Sequence, residues 1–217
     1  MPGKNFRKMC GKPLIEWSID TALKSKRIDK VVVVTDSQYD HPLCSSLEEP
    51  AELASGEVGK WDVWKWAVNE LEAWWPAPIQ TIVDLDVTRP IRSVEDVDRC
   101  IDRFYAQPPA SHMVMGVTDA RKNPYVDLLE HDASGALYLS KISPDGFTVR
   151  QAARKVFQHA GVYVVSRPVL EHFNGLFAEG LIVHGRYLPP EAGLDIDTEL
   201  DWTMVEAVLK QRMGAIE

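Results

Sequence analysis

The stretch that decides the fold of this chain is VVVVTD, at residues 31–36. A β-branched run that ends in Thr-Asp is typical of a parallel strand buried on both faces. Apolar runs at residues 79–85 and 112–117 predict further strands, and segments with helical periodicity separate them. This alternation predicts an α/β fold with a largely parallel sheet. Ligands bind beyond the carboxyl ends of such strands, so Asp36 either lies near a functional site or caps the next turn.

The composition bounds the class of protein. The chain has 217 residues, 45% hydrophobic and 26% charged, which is typical of one globular domain over residues 1–217. Its formal net charge of −8 argues against a nucleic-acid partner, which needs a basic face. No apolar run approaches the roughly 20 residues of a membrane-spanning helix, so no membrane partner is expected. Cys10, Cys44 and Cys100 lack metal-binding spacing and predict free thiols in a reducing cytoplasm.

A pair of carboxylates stands near the end of the chain, in the stretch GLDIDTELDW at residues 193–202. Side chains at positions i and i+2 of an extended segment point the same way, so Asp195 and Asp197 could reach one cation. Mg²⁺ prefers oxygen ligands together with substrate phosphates. A helical pattern at residues 198–212 follows directly. The pair therefore fits a magnesium site or an acidic helix start, which favours the positive end of the helix dipole.

A second acidic pair lies at the end of the strand predicted for residues 79–85. Alternation along the chain puts Asp84 and Asp86 on the same side of that strand. Asp86 could be a further metal ligand or a contact for a cationic or hydroxylated part of a ligand. The structural alternative is a buried Asp86 that pairs with Arg89 or Arg92.

Residues 60–75 hold five of the seven tryptophans of the chain. One helical face is formed by Trp61, Trp64, Val68, Leu71 and Trp75. Their spacing predicts that this face packs in the core. Stacking of the rings on a base or a sugar is the alternative interpretation.

Short motifs follow one another along the whole chain. They are MPGKNFRKMCGKPLI at 1–15, VVTD at 33–36, PAELA at 50–54, TRPIR at 88–92, NPY at 123–125, GVY at 161–163 and DIDTE at 195–199. Together they resemble the sugar-acid cytidylyltransferases, the group of the CMP-N-acetylneuraminate, CMP-legionaminate and CMP-Kdo synthetases. Each motif alone is weak, whereas their common order and spacing are specific.

This resemblance implies a fold and an activity. The fold would be a three-layer α/β/α domain of the nucleotide-diphospho-sugar transferase type, which is Rossmann-like. A small β-rich arm at residues 122–156 would join two copies into a homodimer. The activity would be transfer of CMP from CTP to an eight- or nine-carbon 2-keto sugar acid, with release of pyrophosphate and with Mg²⁺ as cofactor.

The resemblance also implies roles for individual residues. Asp195 and Asp197 would hold the catalytic Mg²⁺, Lys4 would contact the phosphates, and Asn5 would face the cytidine. Further implied positions are Lys60 and Asp86 near the nucleotide, and Asp86, Arg150, Gln151 and Tyr163 near the sugar acid. Arg can bind a sugar carboxylate in bidentate fashion, although a solvated basic edge is an equal interpretation of Arg150.

The chain also departs from the pattern that it resembles. That pattern opens with an apolar strand and a glycine-rich phosphate loop, and the present sequence starts after both. Glu49 stands where an Arg is usual, and His159 stands where an Asn is usual. These departures keep two alternatives open: a non-catalytic or truncated homologue that binds a sugar acid or partner without turnover, and an enzyme that uses another nucleotide such as GTP. A chain extended by one strand and a phosphate loop is expected to be more stable and to bind CTP better.

Overall fold

The computed structural model describes residues 1–106, 112–143, 146 and 152–214. The strands are β1 (Lys8–Met9), β2 (Lys12–Pro13), β3 (Val32–Thr35), β4 (Ser45–Glu48), β5 (Thr81–Leu85), β6 (His112–Asp119), β7 (Leu129–His131), β8 (Leu137–Leu139), β9 (Phe157–Ser166) and β10 (Ile182–Tyr187). The α-helices are α1 (Leu14–Lys24), α2 (Lys60–Glu72), α3 (Val94–Tyr105), α4 (Arg167–His172) and α5 (Glu199–Gly214). In this described part of the chain, no helix is both long enough and apolar enough to cross a membrane.

The main sheet has four strands in the order β10-β6-β9-β5. Strand β10 pairs with β6 in parallel, whereas β9 is antiparallel to both β6 and β5. Strands β5, β6 and β10 therefore run in the same direction, as expected for the predicted parallel sheet. Because β9 runs opposite to them, two of the three strand pairs are antiparallel. The reason is β9, which returns to the sheet after a hairpin and needs no crossover helix to do so.

The strand predicted from VVVVTD is present, but it lies outside the main sheet. Strand β3 pairs in parallel with β4, and these two strands form a separate sheet. Among the described residues, β3 and β5 each keep one edge without a strand partner. A cavity of about 200 Å³ lies between these edges, with α1 along one side. Only Val33 of β3 is buried, because the open edge leaves its neighbours half exposed.

Helices cover both faces of the main sheet. On one face, α2 and α4 pack on Met113, Met115 and Val165. On the other face, α3 packs on Val114 and Val162. Helix α5 lies over the first residues of the chain and completes a third apolar cluster. The arrangement is the predicted three-layer α/β/α architecture.

The tryptophan-rich helix packs as its periodicity predicts. Trp61, Trp64, Val68 and Leu71 are buried against the sheet. Trp75 lies beyond the end of α2 and is only half buried. The rings of Trp61 and Trp64 therefore serve core packing rather than ligand stacking.

A hairpin projects from the segment predicted to be the arm. Strands β7 and β8 pair antiparallel around a turn in which Asp132 accepts hydrogen bonds from the backbone of Ser134 and Ala136. Every residue of both strands is exposed. The hairpin predicted around residues 132–135 is thus confirmed, whereas the role of residues 122–156 as a dimerisation arm stays a prediction.

Candidate active site at the carboxyl edge of the sheet

The carboxyl end of β5 carries a compact cluster of charged side chains. Lys60, the first residue of α2, places its Nζ 2.5 Å from Asp84 Oδ2 and 2.6 Å from Asp86 Oδ1. One ammonium thus reaches both carboxylates, which confirms that Asp84 and Asp86 lie on the same side of the strand. Burial lowers the pKa of Lys60, but the two carboxylates outweigh burial and raise the pKa overall.

Asp86 is the centre of this cluster. Burial raises the pKa of its carboxyl, but Lys60, Arg89 and Arg92 together hold that pKa below its usual range. Arg92 is buried and donates from Nη2 to the Asp86 carbonyl at 2.8 Å. The same burial lowers the pKa of Arg92 to about 10. Asp86 is partly buried, and its carboxylate pairs with Lys60 and Arg89, whereas its predicted contact with a metal, a nucleotide or a sugar stays a prediction.

Arg89 connects this cluster to the end of the chain. Its Nη2 donates to Asp195 Oδ2 at 2.7 Å, and its Nε lies 3.7 Å from Asp86 Oδ2. Its Nη1 donates to the carbonyl of His159. Arg89 is only 7% exposed, and its contacts join the end of β5 to the segment that precedes α5.

The two carboxylates near the end of the chain have different surroundings. Ile196 between them is fully buried, and its N–H donates to the Thr88 carbonyl at 3.1 Å. The second oxygen of Asp195, Oδ1, is buried and has no hydrogen-bond partner among the described residues. Asp197 is exposed, and Lys4 Nζ lies 3.4 Å from its Oδ1 while donating to the Ile196 carbonyl.

The cap of helix α5 is formed by other residues. Thr198 donates its N–H to Asp201 Oδ2 at 2.8 Å, and Asp201 donates its N–H to Thr198 Oγ1 at 3.2 Å. These two reciprocal hydrogen bonds give partners to backbone N–H groups at the start of the helix, as a capping box does. The side chains of Asp195 and Asp197 therefore do not make the cap hydrogen bonds of α5, and their predicted role in holding a metal stays a prediction.

Asn5 lies in a short 3-10 helix, Lys4–Phe6, at the start of the chain. Its Oδ1 is buried and has no hydrogen-bond partner in the described residues. A buried polar atom without a partner is uncommon in folded proteins and calls for an explanation such as an absent ligand. An amide oxygen can accept a hydrogen bond from an amino group such as that of cytosine.

His159 and Tyr163 extend the cluster along β9. The Tyr163 hydroxyl lies 2.8 Å from His159 Nδ1 and donates to Asp86 Oδ2 at 3.3 Å. Burial lowers the pKa of His159, and the positive charge of the neighbouring Arg89 lowers it further. Burial and Asp86 raise the pKa of Tyr163. The imidazole is therefore neutral and the phenol protonated at neutral pH.

A cavity of about 950 Å³ opens beside these residues. Lys60, His159 and Tyr163 line it, together with other side chains of β6, β9 and β10. Ligand sites in proteins are commonly concave spaces of this size.

The predicted site residues thus fall into two linked groups. One group contains Lys60, Asp86 and Tyr163, and the other contains Lys4, Asp195 and Asp197. Asn5 contacts neither group through a described hydrogen bond. Arg150 and Gln151, predicted to bind the sugar acid, lie outside the described residues.

Sequence reasoning missed the linking role of Arg89. The motif TRPIR drew attention to it only as a partner of Asp86, and Asp195 is 106 positions away in the chain. It also missed the apolar wall of the large cavity, where Leu176, Phe177 and Val183 carry no motif. The available signal in the sequence was an aromatic residue between predicted elements, Phe177.

The carboxylates before α5 suit Mg²⁺ rather than a fully protein-bound metal. Within the described ranges of the chain, no group of three or more His, Cys, Asp or Glu side chains is arranged to hold a metal ion. Mg²⁺ needs no such cage, because one or two carboxylates, water and substrate phosphates usually complete its shell. The buried Oδ1 of Asp195, which has no hydrogen-bond partner in the described part of the chain, is an oxygen available to such an ion.

Comparison with known proteins assigns the class. The sequence profile of the cytidylyltransferase family matches residues 1–165, and the chain belongs to that family. The resemblance inferred from the short motifs, to the cytidylyltransferases that activate sugar acids with CTP, is thereby confirmed.

Individual relatives match nearly the whole chain. A post-translational flagellin modification protein B from Campylobacter coli is 29% identical over 96% of this chain and 89% of its own length. A CMP-N,N'-diacetyllegionaminic acid synthase from Campylobacter jejuni is 29% identical over 95% of this chain and 88% of its own length. Among solved structures, a CMP:2-keto-3-deoxy-manno-octonic acid synthetase complexed with CTP superposes with a TM-score of 0.65 at 16% identity, over 98% of this chain and 93% of its own. That likeness confirms the predicted fold.

Proposed function

We propose that this cytidylyltransferase transfers CMP from CTP to the anomeric hydroxyl of a 2-keto sugar acid and releases pyrophosphate. In this reaction the sugar oxygen forms a bond to the α-phosphorus as the bond from that phosphorus to pyrophosphate breaks. The observation that carries the proposal is Asp195 beside Arg89 at the carboxyl edge of the sheet, because its buried Oδ1 lacks a partner among the residues that the structure describes. Relatives named for CMP-legionaminate and N-acylneuraminate chemistry support the substrate class.

The charges around this edge suit a nucleoside triphosphate. Lys4 and Arg89 each lie next to one of the two carboxylates, so positive charge is already present where phosphates would bind. Asp195 and Asp197 would hold Mg²⁺, which neutralises phosphate charge and orients the reacting oxygens when bound. The chain itself contributes mainly position and a preorganised electrostatic environment, which are the main means of catalysis in phosphoryl-type transfers.

The other groups fit binding roles. Asn5 would accept a hydrogen bond from the cytosine amino group through its Oδ1, for which no described residue is a partner. Lys60 and Asp86 would form the polar floor between the nucleotide and the sugar, and Tyr163 would face the sugar in the large cavity.

We also propose a homodimer and a cytoplasmic location. The hairpin of β7 and β8 exposes apolar side chains, which supports the homodimer. In a symmetric dimer, the same apolar surface of each copy would contact the other copy. The free thiols of Cys10, Cys44 and Cys100 are in keeping with a reducing compartment.

The test of the function is pyrophosphate release with CTP, Mg²⁺ and a panel of 2-keto sugar acids. Wild-type protein should release pyrophosphate with at least one of them. Asp197→Asn should abolish Mg²⁺-dependent turnover and leave the fold intact, because the side chain is exposed. Asp40→Asn, at an exposed carboxylate on a loop, is the matched control and should behave as wild type. Unchanged turnover in Asp197→Asn would contradict the proposal that Asp195 and Asp197 hold Mg²⁺.

A further inference from the structure

We infer that Arg89 and Lys4 cancel the charge of the two carboxylates before α5, so that this site takes up a divalent cation only together with a triphosphate. This role rests on the proposed function and goes beyond it, because it says when the metal can bind. The carboxylates are Asp195 and Asp197, and each already has a cationic side chain beside it.

The two ion pairs differ in how well solvent screens them. Arg89 Nη2 donates to Asp195 Oδ2 at 2.7 Å, and the arginine side chain is only 8% exposed. Charges that are this close and this buried are poorly screened, so Arg89 offsets most of the negative charge of Asp195. Lys4 Nζ lies 3.4 Å from Asp197 Oδ1, but Asp197 is exposed, so this second pair is weaker.

The neighbouring carboxylates are paired in the same way. Glu199 Oε1 lies 2.7 Å from Arg7 Nη1. Lys60 Nζ lies 2.5 Å from Asp84 Oδ2 and 2.6 Å from Asp86 Oδ1. Each of these three carboxylates therefore has a cation in contact, and charges of opposite sign are matched along this edge of the sheet.

A free divalent cation would gain little in such a site. Mg²⁺ loses its water reluctantly, and each carboxylate that could replace this water lies next to a positive charge. A triphosphate changes the balance, because it brings negative charge that Arg89 and Lys4 attract and oxygens that complete the shell of the ion. The same two cations therefore oppose a free metal ion and favour the nucleotide. Asp195 Oδ1, which has no hydrogen-bond partner among the described residues, is the oxygen that this arrangement leaves for the ion.

The test uses Arg89→Gln, which removes the charge and keeps an amide that can donate to Asp195. Mn²⁺ is the probe, and the amount retained with the protein on ultrafiltration gives its affinity. Without nucleotide, Arg89→Gln should bind Mn²⁺ about tenfold more tightly, because one positive charge has been removed from beside the ion. The same variant should bind metal-free CTP about tenfold more weakly in calorimetry, because a hydrogen bond to a charged phosphate is lost. A purely structural role of Arg89 would instead weaken both.

Three further variants separate charge from folding. Lys4→Gln removes the cation of the more exposed pair and should tighten Mn²⁺ binding severalfold; it decides the question if thermal melting shows that Arg89→Gln does not fold. Arg89→Lys keeps the charge and should stay close to wild type in nucleotide-free Mn²⁺ affinity. Arg167→Gln is the matched control, because Arg167 is also a partly buried arginine, pairs with Glu72 and lies at the opposite end of β5. It should change neither affinity.

Wild-type protein should retain at least tenfold more Mn²⁺ when CTP is present, whereas free Mn²⁺ and its CTP complex pass the filter. Equal retention with and without CTP, or no tightening in the folded neutral variant, would overturn the inference. Either result leaves the proposed function standing if pyrophosphate is still released with a sugar acid. Release with no sugar acid at all would overturn the proposed function. The Mn²⁺ affinities of the neutral variants then still decide whether these cations oppose a free metal ion.

Discussion

A single carboxylate, Asp86, organises the basic side chains at the edge of the sheet. It contacts Lys60 directly, lies within 4 Å of Arg89, and holds Arg92 through its carbonyl. Its side chain is only 15% exposed, so the charge that it supplies is poorly replaced by water. Removal of one member of such a buried set leaves the others without compensation, which costs more than the interaction contributes in place.

Asp86→Asn should therefore lower the free energy of unfolding by about 3–5 kcal/mol. The loss should depend on pH in a defined direction. The folded-state pKa of Asp86 lies below its ordinary value of 3.8, so the carboxylate stabilises the fold above that pH. That stabilisation is lost as the pH falls through the folded-state pKa, and the difference between variant and wild type should narrow below about pH 4. Thermal unfolding of Asp86→Asn and wild type from pH 3 to pH 7, with Asp40→Asn as control, measures this stability difference. A stability difference that does not change with pH would contradict the prediction.

Some of these residue pairs follow from local rules and others do not. The shared side of Asp84 and Asp86 follows from strand alternation, and the structure bears it out. The pairing of Arg89 with Asp195 joins positions 106 residues apart, and no local pattern specifies it. The sequence did not show which acidic residue caps α5, and the structure identifies Thr198 and Asp201 as the capping pair.

Among the secondary-structure elements, β9 shapes the site most strongly. Its pairing with β6 is irregular between Met115 and Val117, and Gly161 at that point has a φ of 68°. The Gly161 carbonyl accepts a hydrogen bond from the Asp86 N–H at 2.9 Å. A β carbon on Gly161 would lie 2.8 Å from Asp86 Cβ and 2.9 Å from Arg89 Cδ. The glycine thus allows β9 to approach the charged cluster closely.

Gly161→Ala should destabilise the fold and reduce turnover, and Gly135→Ala is its matched control. Both glycines have positive φ, so each alanine carries the backbone cost of roughly 1–2 kcal/mol for that conformation. At Gly135 a β carbon would meet nothing within 4 Å. Gly161→Ala should therefore cost about 1–3 kcal/mol more, from overpacking alone, in urea unfolding. Equal losses in the free energy of unfolding for the two variants would show that the close approach of β9 to the charged cluster does not affect stability.

The types of the elements were predictable, whereas their arrangement was less so. Periodicity identified α2 and its core face, and apolar runs identified β3, β5 and β6. The antiparallel β9 and the separation of β3 from the main sheet depend on pairing between distant segments. A β-branched run such as VVVVTD specifies a strand, but it does not specify which strand lies beside it.

At the level of the whole molecule, the exposed hairpin predicts association. Leu129, Leu137 and Tyr138 are 54%, 68% and 49% exposed, and a two-stranded hairpin is marginally stable without further packing. Light scattering at micromolar concentration should therefore give twice the 24.4 kDa of one chain. Leu137→Asp should shift the mass to 24.4 kDa, whereas Leu43→Asp, at a leucine with 71% exposure, should not. A wild-type monomer would contradict the proposal.

The separation of β3 and β4 from the main sheet has a consequence for how the molecule fluctuates. In the described chain, this pair shares no ladder hydrogen bond with the other strands, and the one buried side chain of β3, Val33, packs in a small cluster with Ile15 and Ile19 of α1. Its release therefore breaks few cooperative interactions and requires less free energy than global unfolding. In a hydrogen–deuterium exchange experiment, we therefore expect the backbone amides of β3 to exchange through local opening and faster than those of β9. Because β3 leads to Asp36 at the carboxyl edge, a ligand bound across that edge would protect the least cooperative part of the fold from exchange.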